Sequence, residues 1–136
     1  MIYLDSSALL KLVVDEPEST ALRAWLSDRP DAPRISSQIA KIEVVRACRR
    51  GHASALPAAR TLLSGLDLIP LTSGVVDAAM DVGQPALRSL DAIHLASALP
   101  VREDLTAFVA YDLRLADAAA AVALDVVRPG AQPTAE

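Results

Sequence analysis

The chain has 136 residues, of which 52% are hydrophobic and 22% charged, and its formal net charge at pH 7 is −4. This length and composition fit one folded domain and exclude a disordered chain. The negative charge argues against a protein that coats nucleic acid by nonspecific neutralisation of phosphates. Cys48 is the single cysteine, which excludes an internal disulfide and a zinc or redox motif built on paired cysteines.

Short apolar runs alternate along the chain with longer helical patterns, which is typical of βαβ units and a parallel sheet. In chain order we predict a strand near 2–5, helices at about 6–14 and 18–28, a strand near 34–36, helices at about 38–50 and 55–65, a strand near 67–71, helices at about 73–83 and 88–99, a strand near 107–111, a helix at about 113–122 and a strand near 125–128. The predicted fold class is α/β, with a central parallel sheet of about five strands flanked by helices. We expect one domain over 1–128 and a flexible C-terminal tail over 129–136.

No basic segment followed by a long apolar stretch opens the chain, because Asp5 interrupts the first apolar run. A secretory signal is therefore not expected. The longest apolar runs, such as 118–124, are too short to span a bilayer. These features predict a cytoplasmic protein that has no contact with a membrane.

Two aspartates follow predicted strands. Asp5 ends the first apolar run and Asp112 follows the fourth, and each precedes a helical pattern. Ligands of open α/β sheets bind beyond the carboxyl ends of the strands. The two positions therefore suggest one shared site.

Two further acids lie on predicted helices. Glu43 shares an apolar stripe with Ile39, where a carboxylate is costly to bury unless a cation or hydrogen bonds compensate its charge. Arg46, one turn further on, is a candidate for that compensation. Asp91 lies in the first turn of a strongly apolar helix. Each acid taken alone also has a structural explanation, as a turn former, an ion-pair partner or a helix cap.

Taken together, the four acids could converge above one edge of the sheet. Four neighbouring carboxylates need a divalent cation, because repulsion between like charges would otherwise raise their pKa values until some bind protons. Oxygen ligands without His or Cys select Mg²⁺ or Mn²⁺ over zinc. Mg²⁺ keeps several waters and bridges carboxylates to phosphate oxygens, so such a site suits phosphodiester chemistry with a bound water as the nucleophile.

Three segments around these acids carry a family resemblance, namely IYLDSSALLKL from Ile2, SLDAIHLASA from Ser89 and VAYDLRLA from Val109. They resemble PIN-domain ribonucleases, and specifically the VapC toxins of bacterial type II toxin–antitoxin modules. The resemblance covers nearly the whole length and implies a single PIN-like domain. It implies that the Mg²⁺ or Mn²⁺ ligands and catalytic residues are Asp5, Glu43, Asp91 and Asp112. Ser6 matches the hydroxyl residue that supports such a site.

The resemblance also implies an activity and partners. The activity is that of an endoribonuclease toxin that hydrolyses RNA by metal-activated water, and the partners are a cognate VapB-like antitoxin and a second copy in a homodimer. We expect the RNA backbone to contact basic residues, with Arg46 foremost and Lys11, Lys41, Arg49, Arg50, Arg88 and Arg114 as the other candidates. The apolar antitoxin surface is predicted on the helices at 6–14 and 18–28, from Leu9, Leu10, Leu12, Val13, Leu22, Trp25 and Leu26.

One residue departs from the family pattern, and two other functions remain open. Where the family commonly has Thr or Ser before the last aspartate, this chain has Ala110, which removes a hydroxyl that could support Asp112. One alternative function is a receiver-like Mg²⁺-binding signalling module, which would also place aspartates at strand ends. The other is that of a PIN-like protein that has lost catalysis and acts as a binding protein. Asp117 is interpreted as a surface acid and His94 as a packed helix residue.

Overall fold

Five parallel strands form the sheet at the centre of the computed structural model, which describes residues 1–131. The strands are β1 (Ile2–Leu4), β2 (Arg34–Ser37), β3 (Asp67–Ile69), β4 (Ala107–Val109) and β5 (Val126–Val127). Their order across the sheet is β3-β2-β1-β4-β5, so β1 is the middle strand. Tyr3 of β1 lies beside Ile35 on one side and Phe108 on the other. The predicted α/β class with a five-stranded parallel sheet is confirmed.

Within residues 1–131, seven α-helices join these strands. They are α1 (Ser6–Lys11), α2 (Ser19–Ser27), α3 (Ile39–Gly51), α4 (Leu56–Ser64), α5 (Ser73–Asp81), α6 (Ser89–Ala98) and α7 (Leu113–Ala121). All seven match predicted helices, with ends that differ by at most three residues. Two short 3₁₀ segments, Ala53–Ala55 and Leu99–Asp104, were not predicted. The strand at 67–71 is shorter than predicted, because Pro70 has no N–H to donate to the neighbouring strand.

The middle strand contributes to two hydrophobic clusters, because alternate side chains of a strand point to opposite faces of the sheet. Ile2 and Leu4 pack with side chains from α1 to α4 on one face. Tyr3 packs with side chains from α6 and α7 on the other face. Cys48 is fully buried in the first cluster, as expected for an unreactive free cysteine.

The predicted apolar surface on the first two helices is wrong for three of its members. Leu9, Leu22 and Leu26 are at most 2% exposed and belong to the core of the first cluster. The other four members are half-buried and pack against the same core; they are Leu10, Leu12, Val13 and Trp25. The large apolar side chains that are exposed lie elsewhere, at Ile42, Leu71, Val76, Met80, Leu90 and Leu113.

The last described residues pack onto the domain. The Tyr111 hydroxyl donates to the Pro129 carbonyl at 2.8 Å. Gly130 has a φ of 81°, and a β-carbon there would lie 2.8 Å from that of Ala21, so only glycine fits this turn without strain. The remainder of the predicted tail, residues 132–136, lies outside the described residues. Over residues 1–131, no helix combines the length and the apolar character needed to cross a bilayer.

Candidate active site

Asp5 follows the middle strand and caps the helix that comes next. Its Oδ1 accepts hydrogen bonds from the Ala8 backbone N–H at 2.9 Å and from the Ser7 hydroxyl at 2.7 Å. The residue is only 3% exposed. Burial disfavours the charged carboxylate and raises its pKa to about 6, although His94 and the two hydrogen bonds partly oppose this shift. Asp5 is therefore a fixed, buried carboxyl group whose charge is costly in the isolated protein.

Ser7 is a site residue that sequence reasoning missed. Besides donating to Asp5, its hydroxyl accepts a hydrogen bond from the Tyr111 backbone N–H at 3.2 Å. The same side chain therefore ties the end of β1 to the segment that follows β4. The only sequence signal for this role is the pair of hydroxyl residues directly after Asp5, and Ser6 alone was assigned a supporting function there.

Glu43 points from α3 towards the start of α1. Its Oε1 accepts a hydrogen bond from the Ser6 hydroxyl at 2.6 Å and contacts His94 Nε2 at 2.7 Å. Burial alone would raise the pKa of Glu43, but the hydrogen bonds from His94 and Ser6 outweigh it and hold the pKa below its ordinary value. The expected supporting role of Ser6 thus has a direct structural basis, as a donor to Glu43.

His94, and not the candidate Arg46, is the side chain that pairs with Glu43. It is 1% exposed, and its Nδ1 lies 2.7 Å from the Tyr3 hydroxyl. Because Nε2 lies against a carboxylate oxygen, it carries a proton and donates to Glu43, and Nδ1 forms a hydrogen bond with the Tyr3 hydroxyl. The prediction of a packed helix histidine is confirmed by its burial, but the side chain also belongs to a hydrogen-bonded chain that runs from Tyr3 to Glu43.

Arg46 lies apart from this chain of hydrogen bonds. Within residues 1–131 it forms no ion pair with Glu43, so the predicted pairing of these two side chains is wrong. Its side chain is exposed and lines a groove of about 460 Å³, together with Ser6, Glu43 and Arg50. The same arginine lines a second cleft with Arg49 and Arg50. Arg46 therefore borders Glu43 without neutralising it.

Asp91 and Asp112 are joined by one arginine. Arg88 Nε lies 3.0 Å from Asp91 Oδ2, and Arg88 Nη2 lies 3.2 Å from Asp112 Oδ2. Asp112 also caps α7, with its Oδ1 accepting the Leu115 backbone N–H at 3.1 Å. The hydrogen bond to Asp91 and the charges of both aspartates raise the pKa of Arg88 above its ordinary value. This arginine, which we had predicted only as a substrate contact, bridges two members of the acidic set.

Lys11 cannot act as the substrate contact that we predicted. Its Nζ lies 2.9 Å from Glu18 Oε2 and 3.7 Å from Glu16 Oε1, and 4.7 Å from the centre of the Tyr111 ring. The residue is only 8% exposed. The Lys11 side chain therefore links α1 to the start of α2 instead of facing a ligand.

Short contacts relate the four predicted acids to one another. Arg88 pairs with both Asp91 and Asp112. Ser7 joins Asp5 to the backbone N–H of Tyr111, which precedes Asp112, and His94, one turn after Asp91, contacts Glu43. Within residues 1–131, no three acidic, histidine or cysteine side chains are gathered tightly enough to form a ready-made metal cage. The donor set is all carboxylate, a chemistry that fits Mg²⁺ or Mn²⁺, which bind through few protein ligands and retain several waters. The residues present therefore fit an open divalent-metal site.

Comparisons with known proteins identify the family to which the chain belongs. The PIN domain model matches residues 2–121. Ribonuclease VapC47 of Mycobacterium tuberculosis (strain CDC 1551 / Oshkosh) is 44% identical over 134 residues, which is 96% of this chain and 98% of that protein. Ribonuclease VapC35 of Mycobacterium tuberculosis (strain ATCC 25618 / H37Rv) is 46% identical over 132 residues, again 96% of this chain and 98% of that protein.

Two solved structures share the fold. Mycobacterium tuberculosis VapC20, a Sarcin-Ricin loop cleaving toxin, superimposes with a TM-score of 0.75 at 17% identity, over 95% of this chain and 100% of that chain. VapBC2 from Rickettsia felis, bound to a DNA fragment from its promoter, gives a TM-score of 0.70 at 13% identity, over 95% of this chain and 99% of that chain. Because the PIN model and the full-length relatives agree, the chain belongs to the VapC family of PIN-domain proteins.

Proposed function

We propose that this chain is a divalent-metal-dependent endoribonuclease that acts in the cytoplasm as the toxin of a toxin–antitoxin pair. The observation that supports the proposal is a set of hydrogen bonds and ion pairs that links the surroundings of the four acids, made by Ser6, Ser7, His94 and Arg88. It occurs in a chain that is 44% identical to a ribonuclease VapC over almost its full length. A receiver-like signalling module has less support, because the PIN domain model matches residues 2–121 and the full-length relatives are named ribonucleases.

In this proposal the four carboxylates hold Mg²⁺ or Mn²⁺. When bound, the ion would supply a Lewis acid and a water activated for attack on a phosphodiester. The role of the surrounding residues is to fix those carboxylates before the ion arrives. Ser7 and the Ala8 N–H set the rotamer of Asp5, and Ser6 and His94 set that of Glu43. Carboxylates fixed in this way need little reorganisation during the reaction.

The exposed arginines of α3 provide the proposed contacts to the RNA backbone. Arg46 and Arg50 line the groove that contains Glu43 and Ser6, and Arg49 joins them in the neighbouring cleft. Guanidinium groups bind phosphate oxygens in pairs of hydrogen bonds. An RNA strand in this groove would therefore pass its phosphates beside Glu43, although the chain as a whole carries a net charge of −4.

We further propose a cognate VapB-like antitoxin and a homodimer as its assemblies. The antitoxin is supported by the shared fold with a Rickettsia felis protein solved as VapBC2. The exposed apolar side chains of Ile42 and Leu90 lie beside the proposed RNA groove, and those of Val76 and Met80 project from α5. Apolar side chains left exposed in this way are typical of surfaces that a partner covers.

The test is cleavage of total RNA by the purified, antitoxin-free protein in Mg²⁺ or Mn²⁺, with EDTA as the metal-free control. Asp5→Asn and Asp91→Asn should lower the cleavage rate by more than about a hundredfold, because each removes a proposed ligand. Asp117→Asn is the matched control, since Asp117 is an exposed acid on α7 and should leave the rate unchanged. Cleavage that persists in EDTA, or that survives both ligand substitutions, would contradict the proposal.

A further inference from the structure

We propose that Arg88 is a built-in counter-ion of the acidic site, which a divalent cation must displace from Asp91 or Asp112 before it can bind both. The inference rests on the proposed metal-binding function and adds to it a residue that lowers the affinity for the metal. It follows from the ion pairs that Arg88 forms with two of the four carboxylates, those of Asp91 and Asp112.

The guanidinium occupies the oxygens that a metal would need. Asp112 commits its Oδ1 to the Leu115 N–H at the start of α7, which leaves Oδ2 for a cation, and Arg88 Nη2 lies 3.2 Å from that atom. Arg88 Nε lies 3.0 Å from Asp91 Oδ2. One planar group therefore spans the starts of α6 and α7, and both of the Oδ2 atoms it contacts would be candidate ligands of the ion.

The negative charges of the neighbouring carboxylates explain why the positive charge of Arg88 stabilises this region in the absence of a metal. Within residues 1–131, Arg88 is the only lysine or arginine that forms an ion pair with any of the four acids. Like charges brought together without compensation would raise the pKa values of the carboxyl groups. Arg88 places a positive charge between Asp91 and Asp112, so it compensates the charges of these two carboxylates in the metal-free protein.

The same contact is weak enough to be released. The Arg88 side chain is 63% exposed, and the residue lies just before α6 with an extended backbone. A guanidinium on a flexible side chain can turn into solvent without disturbing the core. Exposed ion pairs of this kind contribute little to stability, so a divalent cation that contacts several carboxylates can replace them.

The experiment measures Mn²⁺ binding by titration calorimetry on the full chain, for the unaltered protein and for Arg88→Gln, Arg88→Lys and Arg102→Gln. Arg102→Gln is the matched control, because it removes the same charge from an arginine in the Leu99–Asp104 segment that forms no ion pair with the four acids. Arg88→Gln should bind Mn²⁺ about fivefold more tightly, the ratio that corresponds to about 1 kcal/mol of lost competition. Arg88→Lys should fall between the two, since an ammonium keeps the charge but cannot form the same two-armed bridge.

A second measurement separates competition from unfolding. The melting temperature should rise more on addition of Mn²⁺ for Arg88→Gln than for the unaltered protein, because tighter binding to the folded state gives greater stabilisation. Equal or weaker Mn²⁺ binding by Arg88→Gln would overturn the role of Arg88 while leaving the metal site intact. If none of the four proteins binds Mn²⁺, the proposed metal site itself fails, and the inference fails with it.

Discussion

Replacing the buried Asp5 by asparagine should make the metal-free protein more stable while it abolishes metal binding. The fold raises the pKa of Asp5 from 3.8 to about 6, so ionising this group costs more in the folded state than in the unfolded chain. The side chain is 3% exposed, so solvent screens this cost little. Asparagine keeps a carbonyl oxygen that can accept from Ser7 and Ala8, but it carries no charge.

The sign and size of the effect follow from the same shift. Below about pH 4 the carboxyl group of Asp5 is protonated in both states, and its burial then costs no stability through ionisation. As the pH rises through about 6, the folded protein must ionise Asp5 as well, and the free energy of unfolding falls. At pH 7 Asp5 is ionised in both states, and a shift of about 2 pKa units corresponds to about 3 kcal/mol of destabilisation. Asp5→Asn should therefore gain up to about 3 kcal/mol at pH 7 and less than about 1 kcal/mol near pH 4.

Urea denaturation in EDTA at both pH values, followed by circular dichroism, measures this gain. Asp117→Asn is the control, since removing an exposed carboxylate should change the free energy of unfolding by less than about 0.5 kcal/mol. Adding Mg²⁺ should then stabilise the unaltered protein and not Asp5→Asn. If Asp5→Asn is no more stable than the unaltered protein at pH 7, or if its gain is the same at both pH values, the argument from burial is refuted.

Three further substitutions test the surroundings of the site. Tyr3→Phe should lower the free energy of unfolding by about 1–3 kcal/mol, because it removes the hydrogen-bond partner of the buried Nδ1 of His94; nitrogen NMR should show a shifted Nδ1 resonance, and an unchanged spectrum would contradict the described hydrogen bond. Gly130→Ala should lower the melting temperature through strain at a φ of 81°, whereas Gly51→Ala, with no atom within 4 Å of the new β-carbon, should not; equal melting temperatures would contradict the described turn. Leu22→Ala should cost about 2–5 kcal/mol in urea denaturation, because the fully buried side chain would leave a cavity, and a loss below about 1 kcal/mol would refute its placement in the core.

Most of the fold was predictable from the sequence because the sheet is buried on both faces. A strand covered on both sides reads as a short continuous apolar run, as at Ile2–Leu4 and Ala107–Val109. The prolines then mark the boundaries between runs. The two 3₁₀ segments were missed because stretches of three and six residues are too short to show a periodicity that distinguishes them from a loop.

The acidic residues were predictable, but their partners were not. Asp5 and Asp112 follow strands in the sequence, so their shared edge can be derived from strand direction alone. The partner of Glu43 cannot, because Arg46 lies one turn away along the chain while His94 is brought to it by the packing of α3 near α6. Spacing along the chain favoured Arg46 as the partner of Glu43, whereas tertiary packing places the imidazole of His94 beside it. The bridging role of Arg88 likewise depends on how two helix starts face one another.

The middle position of β1 has a consequence for how the protein is made. The strand Ile2–Leu4 pairs with β2 on one side and with β4 on the other. The second pairing can form only late, because β4 begins at Ala107, about a hundred residues further along the chain. Pairing over so long a separation is slow to form, and during synthesis it cannot form at all until β4 has left the ribosome. Asp5 therefore meets Asp91 and Asp112 only in a nearly finished chain. Translation that stops before residue 112 would release fragments that lack Asp112, and such fragments could not assemble the proposed site.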